Sequence, residues 1–206
     1  MPIFNSVYKA TWKAKYQEVE YIQSTWTQYI TTNILPINTK GIYMKLSSQD
    51  ITNDLLYIGS KKTWDTRFWI GNVTDTYQWR YIYLWWNSNV IYSNPTTDTI
   101  YEIKLNYLND RKRQVDSTVI DSNIGTLSSS NNVPIAIFAW NENWTIITPS
   151  KIKLYSCKIT DWSNIVNDFV PCYRKADSVI WMYDLVNDVF YTNAGSWTFT
   201  KWADVN

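Results

Sequence analysis

Short runs in which apolar and polar residues alternate recur along most of the chain, and they limit the folds open to it. In residues 101–108, YEIKLNYL, Ile103 and Leu105 fall on one face of an extended strand, and Glu102 and Lys104 fall on the other. About a dozen such runs are separated by polar turn clusters, and no long segment has the period of a helix. The pattern indicates an all-β antiparallel sandwich or barrel. The division into one buried and one wet face favours a two-layer sandwich.

The predicted strands are distributed over nearly the whole sequence. They span residues 18–23, 27–32, 41–47, 66–72, 80–86, 89–93, 99–108, 114–121, 133–140, 151–160, 165–172, 178–185 and 189–193. A chain of 206 residues is long enough for one domain with a sizeable core, and we expect that domain to span 17–206. Residues 1–16 fit the strand pattern least. They are interpreted as an attachment segment, an added strand that pairs with a neighbouring chain, or a frayed terminus.

The charge and composition argue against several classes of function. The formal net charge of +1 gives no field that would attract nucleic acid or an acidic membrane. No apolar run is long enough to span a membrane, and the first residues lack the apolar core of a secretory signal peptide. A location on a virion or an extracellular surface would therefore need another route, such as virion assembly or lysis. The absence of histidine removes the commonest general base and the usual zinc ligand.

Two segments carry a family resemblance. Residues 20–32 read EYIQSTWTQYITT, and residues 168–199 read DFVPCYRKADSVIWMYDLVNDVFYTNAGSWTF. They resemble the blocks STGTQYIDT and DFVP…VG(L/M)YDLV…FYTNAG…GTF of concanavalin A-like, laminin-G-like jelly-roll domains of phage virion and bacterial surface proteins. The resemblance covers about residues 18–202. It implies a jelly roll of two antiparallel sheets that binds at surfaces, often to glycans, without catalysis.

Tryptophan stands at several positions where this family pattern has glycine. Trp26, Trp181 and Trp197 match glycines of the pattern directly. A turn or a close approach would also favour glycine at Trp64, Trp85, Trp144, Trp162 and Trp202. The chain has 13 tryptophans and 5 glycines, whereas average usage predicts roughly 14 glycines.

Independent substitution explains this exchange poorly. A side chain at a glycine position with positive φ is strained by about 1–3 kcal/mol, so several such changes would rival the net stability of a domain. We therefore hypothesise that UGA codons, read as glycine by the native host, have been translated as tryptophan. The abundance of Asn, Ile, Lys and Tyr fits an AT-rich gene. The competing interpretation is that these indoles are genuine and functional.

Acidic pairs are the next candidates for chemistry. Glu18 and Glu20 flank one residue of a predicted strand, which places them on one face roughly 6.6 Å apart. Paired carboxylates are typical of glycosidases, but Ile22 stands where a third acidic residue is expected. Two solvent-facing glutamates, and hence no enzyme, are the preferred interpretation.

Loop aspartates and the two cysteines complete the polar candidates. The pairs Asp184 with Asp188 and Asp50 with Asp54 lie in predicted turns, where they either form the turn or bind Ca²⁺. No other cofactor is expected. If Thr160 pairs with Ile165, Cys157 faces Asp168, and Cys172 lies about 13 Å further along the strand. That distance exceeds the roughly 7 Å reach of a disulfide, so two free, half-buried thiols are predicted unless the register differs by two to four residues.

Aromatic residues on strands are the remaining signal for ligand binding. The runs TRFWIGN and RYIYLWW place aromatic side chains on both faces, and the outward ones are candidates for a platform that stacks sugar rings. The preferred ligand-binding residues are Trp69 and Trp86, with Arg67 and Arg80 as donors to hydroxyls or an acidic sugar. Ordinary sheet packing is the alternative interpretation.

These observations predict a non-catalytic binding module on a virion or cell surface. It would recognise a glycan or another bacterial envelope component, and multivalent display in a homo-oligomer or among other virion proteins would raise a modest affinity. The alternative is a purely structural protein that decorates a capsid or tail without a ligand. A glycoside hydrolase is the least favoured interpretation, and loss of hydrolysis on changing Glu18 or Glu20 to Gln would support it.

Overall fold

The structure is a computed structural model that describes residues 12–37, 39–63, 66–74, 80–86, 88–93, 95–122 and 131–205. For residues 74, 80–86 and 88–93 it describes the backbone alone. Almost all regular structure in these ranges is β, which confirms the predicted all-β sandwich. The exceptions are a helical turn at 12–15 and a 3-10 turn at Tyr107–Asn109.

The strands follow one another through the whole described chain. In chain order they are β1 Tyr16–Glu18, β2 Ile22–Gln23, β3 Ile30–Thr31, β4 Lys40–Ser48, β5 Leu55–Lys61, β6 Arg67–Thr74, β7 Arg80–Trp86, β8 Ser88–Ser93, β9 Ile100–Leu105, β10 Arg113–Val115, β11 Thr118–Asp121, β12 Ala136–Ile137, β13 Trp140–Glu142, β14 Thr145–Ile147, β15 Ile152–Asp161, β16 Asn164–Arg174, β17 Ile180–Asp184, β18 Val189–Tyr191 and β19 Thr200–Lys201.

Two sheets form the sandwich. The long sheet has eleven strands, ordered β11-β10-β9-β4-β15-β16-β17-β18, with β1, β2 and β19 attached beside this path. The short sheet has eight, ordered β14-β13-β5-β6-β7-β8, with β12 and β3 attached. The β13–β5 pair is parallel, and the other pairs described are antiparallel.

Alternate residues of the two sheets meet in one core. Ile42, Met44 and Leu46 of β4 belong to the same buried cluster as Tyr57 and Phe68 of the short sheet. Burial of each such side chain contributes about 1.5–3 kcal/mol. Because strand side chains alternate, the residues between the core positions of β4 point to the outer side of the long sheet.

The two ends of the described chain are part of the long sheet. The early segment runs beside β16 at β1 and beside β15 at β2, and β19 covers the free side of β2. A bridge between Val19 and Asp204 continues this pairing. Of the predicted attachment segment 1–16, residues 1–11 lie outside the described residues. Trp12 packs against Tyr183 with ring centroids 5.5 Å apart, and Tyr16 begins β1.

Several predicted elements need correction. The predicted strand 99–108 ends at Leu105, because the chain turns into the 3-10 segment. The predicted strand 114–121 is a hairpin, β10–β11, that turns at Asp116 with φ 53°. Three strands, β5, β14 and β19, were not predicted.

The two thiols are free and fully buried, rather than half-buried as predicted. Thr160 does pair with Ile165, but a bulge after Ile159 sets Cys157 opposite Phe169 instead of Asp168. Burial raises the pKa of both thiols, that of Cys172 to about 12 with a further contribution from Glu18.

We expect neither cysteine to react with a thiol-specific reagent in the folded protein up to about pH 9, because the thiolate is the reactive form. Both should react once denaturant unfolds the chain. Counting modified thiols by mass spectrometry measures this, and rapid labelling of the native protein would contradict the burial described above.

Candidate functional site

At Trp69, the predicted aromatic platform is covered by neighbouring residues. Trp69 lies on the side of β6 opposite the core, but it is only 7% exposed and its ring lies 6.3 Å from that of Trp140. This burial corrects the expectation of an outward stacking face at Trp69, because its neighbours already cover the indole. Arg67 is half-buried at the start of β6, opposite Lys61.

The other two predicted ligand-binding residues lie on β7. Trp86 pairs with Phe68 and Arg80 pairs with Thr74, at opposite ends of the strand. Their side chains lie outside the described residues. The register therefore does not bring the four predicted residues together, and ligand binding by them stays a prediction.

The predicted carboxylate pair is split between two elements. Glu18 is the last residue of β1, opposite Cys172. Glu20 is exposed in a bend, and its backbone N–H donates to the carbonyl of Ala203 at 2.9 Å. The continuous strand on which a shared face was predicted is interrupted between them.

Asp184 has a structural role that the sequence did not reveal. Its buried carboxylate accepts four hydrogen bonds, from the Asn167 and Asn187 side-chain amides at 2.6 Å each and from the backbone N–H groups of Asp168 and Val186 at 3.0 Å each. Such N–H donors occupy the lone pairs that a cation would need.

The remaining loop aspartates are also engaged within their turns. Asp188 accepts the hydroxyl of Tyr183, and Asp50 accepts the backbone N–H of Thr52 at 2.6 Å. Within the ranges that the structure describes, no three His, Cys, Asp or Glu residues lie close enough to hold a metal ion. Asp54 does not extend Asp50 into such a group there. The predicted Ca²⁺ site therefore has no ligand set among these residues.

The outer side of the long sheet carries a continuous polar and aromatic line. Lys104 on β9 pairs with Tyr43 on β4, Tyr43 pairs with Lys158 on β15, and Lys158 pairs with Asp168 on β16. We call these four residues the outer row. All four side chains are half-buried, because their stems pack against one another across the sheet and their ends reach solvent.

A second line runs beside the outer row. Glu102 pairs with Lys45, and Lys45 pairs with Ser156. Each of them lies two residues from a member of the outer row on the same strand, and therefore on the same face of the sheet. At its edge, Lys45, Ile100 and Glu102 form a shallow depression with Asp116 and Ser117 of the β10–β11 turn. The face thus offers amines, carboxylates and hydroxyls around a concave edge.

The phenols of this face are neutral donors. Tyr43 lies against Tyr107, with ring centroids 5.6 Å apart and the planes tilted by 45°. Burial, followed by the adjacent Glu102 carboxylate, raises the pKa of Tyr43 to about 12. Burial also raises the pKa of Tyr107. Both hydroxyls therefore stay protonated at neutral pH and present fixed dipoles beside apolar ring faces.

Opposite charges hold the outer row in place. The Lys158 Nζ lies 2.9 Å from Asp168 Oδ2. Across the two lines, three lysines stand against two carboxylates, and Asp116 at the adjoining edge balances the third lysine. Such a surface suits a ligand that carries many hydroxyls, which both donate and accept hydrogen bonds.

Comparison of the chain with protein-family models and with curated proteins gives no match. In the described part of the chain, no helix has the length and apolarity needed to cross a lipid bilayer. The outer face and the two sequence blocks are therefore the features of this chain that bear on its function.

Proposed function

We propose that the protein is a non-catalytic surface-binding module that recognises a glycan or a related bacterial envelope polymer through the outer face of its long sheet. The observation that carries this proposal is the outer row with its neighbouring line. It combines the half-exposed ring of Tyr43 with amines and carboxylates at strand positions held by the sheet register.

The chemistry of the face matches that of sugars. A sugar ring presents C–H groups that pack on aromatic faces, and its hydroxyls both donate and accept hydrogen bonds. Tyr43 and Tyr107 supply apolar faces with neutral hydroxyls. Lys104 donates, and the Asp168 carboxylate accepts.

The proposed role does not depend on any tryptophan. Both lines consist of Tyr, Lys, Glu, Asp and Ser residues. The proposal is therefore the same whichever amino acid the native protein carries at the unusual tryptophan positions. A location on a virion or cell surface, with several copies displayed together, would raise the modest affinity of a shallow face.

A glycan array probed with the multivalently displayed protein tests the proposal. We expect binding to a subset of glycans, and we expect Lys104→Ala to weaken the monovalent affinity about tenfold by removing a charged donor. Lys62→Ala removes the same charge from an exposed site just after β5 and serves as the matched control.

Each result has a defined consequence. Binding that is lost in Lys104→Ala but kept in Lys62→Ala supports the outer face. Equal binding by both variants would contradict it. Silence across chemically diverse glycans would overturn the proposal in favour of a structural protein that decorates a larger assembly.

A further inference from the structure

Four tryptophans have a backbone conformation that favours glycine. Positive φ angles occur at Trp26 (90°), Trp144 (70°), Trp162 (51°) and Trp197 (64°). A residue with a Cβ is strained in this region, and among residues other than glycine Asn and Asp tolerate it best. Within the described ranges, tryptophan occupies more positive-φ positions than either Asn or Asp.

The glycines in the described chain occupy a different kind of position. None of them has positive φ. They lie where a Cβ would collide with a neighbour, as at Gly195, where it would stand 1.9 Å from the Thr27 carbonyl oxygen. Close-approach glycines are therefore present in the described chain, whereas four of its left-handed positions carry tryptophan.

Two of the four tryptophans lie in two-residue hairpin loops whose geometry specifies glycine. Between Glu142 and Thr145, both Asn143 (φ 48°) and Trp144 have positive φ, as in a type I′ turn. The preferred sequence of that turn is Asn-Gly. With glycine at 144, the loop would read Asn-Gly.

The second hairpin has a different turn type that also specifies glycine. Asp161 pairs with Asn164 across Trp162 and Ser163, and of the two loop residues only Trp162 has positive φ. That pattern fits a type II′ turn, which has glycine at its first central position. With glycine at 162, the loop would read Gly-Ser.

The indoles at these positions also lack the burial that would justify them. Trp26, Trp144, Trp162 and Trp197 are 37%, 65%, 57% and 81% exposed. Other tryptophans differ in backbone conformation. Trp181 lies in β17 without positive φ, is half-buried and packs on Phe190 at 5.1 Å. Trp202 is 59% exposed, but it has no positive φ and stacks on Tyr21 at 6.1 Å. Positive φ therefore distinguishes the four turn tryptophans from those two.

We infer that glycine is the native residue at positions 26, 144, 162 and 197, and that this chain is the tryptophan translation of a gene whose host reads UGA as glycine. UGA differs by one base from the tryptophan codon UGG and by one base from the glycine codon GGA. A single reassigned codon at these four positions contributes to both the low glycine count and the high tryptophan count.

The codons of the gene in its native genome test this inference. UGA is expected at 26, 144, 162 and 197. UGG at these positions would overturn it, and a mixed result would overturn it at each position that carries UGG. The packed Trp69 and Trp140 serve as comparison sites. UGG is expected there, because their backbones do not have positive φ.

Discussion

Replacing Trp26, Trp144, Trp162 and Trp197 together with glycine is expected to raise the free energy of unfolding by about 4 kcal/mol. Each replacement removes about 1–3 kcal/mol of left-handed strain. The greater entropy of glycine in the unfolded chain offsets part of the gain, by about 0.5–1 kcal/mol per site. For a chain of this size the melting temperature should rise by about 8–16 °C. Equilibrium denaturation and calorimetry measure both quantities.

Two matched variants separate the backbone effect from loss of the indole. The corresponding fourfold Trp→Ala variant keeps a Cβ at every left-handed position, so it should gain little or nothing. Trp69→Gly removes a buried side chain and should lose about 3–5 kcal/mol. A fourfold glycine variant no more stable than the alanine variant would show that the left-handed positions do not require glycine.

Asp184→Ala is expected to lower the free energy of unfolding by about 3–5 kcal/mol. The change leaves four N–H donors without their acceptor, two from side-chain amides and two from the backbone; the bond from Asn167 is fully buried and the other three are partly buried. Hydrogen bonds to an ionised acceptor are stronger than neutral ones, and buried donors that lose them incur their full desolvation penalty. Urea denaturation with a constant slope against denaturant would establish the loss.

Asp188→Asn is the matched control, in the same turn. Its amide oxygen still accepts the Tyr183 hydroxyl, and asparagine tolerates the φ of 57° at this position, so less than about 1 kcal/mol should be lost. If Asp184→Ala lowered the free energy of unfolding no more than Asp188→Asn, the four hydrogen bonds to Asp184 would not stabilise the β16–β17–β18 region.

The alternation of side chains predicted the fold class, because a two-layer sandwich presents one wet and one buried face along most strands. The same signal failed at β5. All seven residues of Leu55–Lys61 are buried, so its two faces do not differ in polarity. The hairpin β10–β11 was predicted as one strand because Asp116 reverses the chain without a glycine or proline.

The candidate site was less accessible to sequence reasoning. Alternation in residues 101–108 placed Glu102 and Lys104 on a wet face. It could not reveal that Tyr43 and Lys158 lie beside them, since these residues are distant in sequence and only the strand order joins them. Conversely, Trp69 was predicted to be outward and accessible. Sheet alternation gives the direction of a side chain but not what covers it.

The glycine positions of the family pattern coincide with positive φ at some of the tryptophans. Sequence comparison with the jelly-roll pattern indicated glycine at Trp26 and Trp197, and both have positive φ. Trp181, indicated by the same comparison, has a strand conformation opposite Cys172. At Trp144 and Trp162 the hairpin geometry provides the stronger argument, because the turn type is defined only once the strand register is known.

Peptide mass spectrometry of the protein isolated from its native source tests the central claim most directly. The peptides that span the β13–β14 and β15–β16 hairpins report the residues at 144 and 162. We predict glycine at both positions, giving Asn-Gly and Gly-Ser loops. Tryptophan at both positions in the native protein would contradict the account.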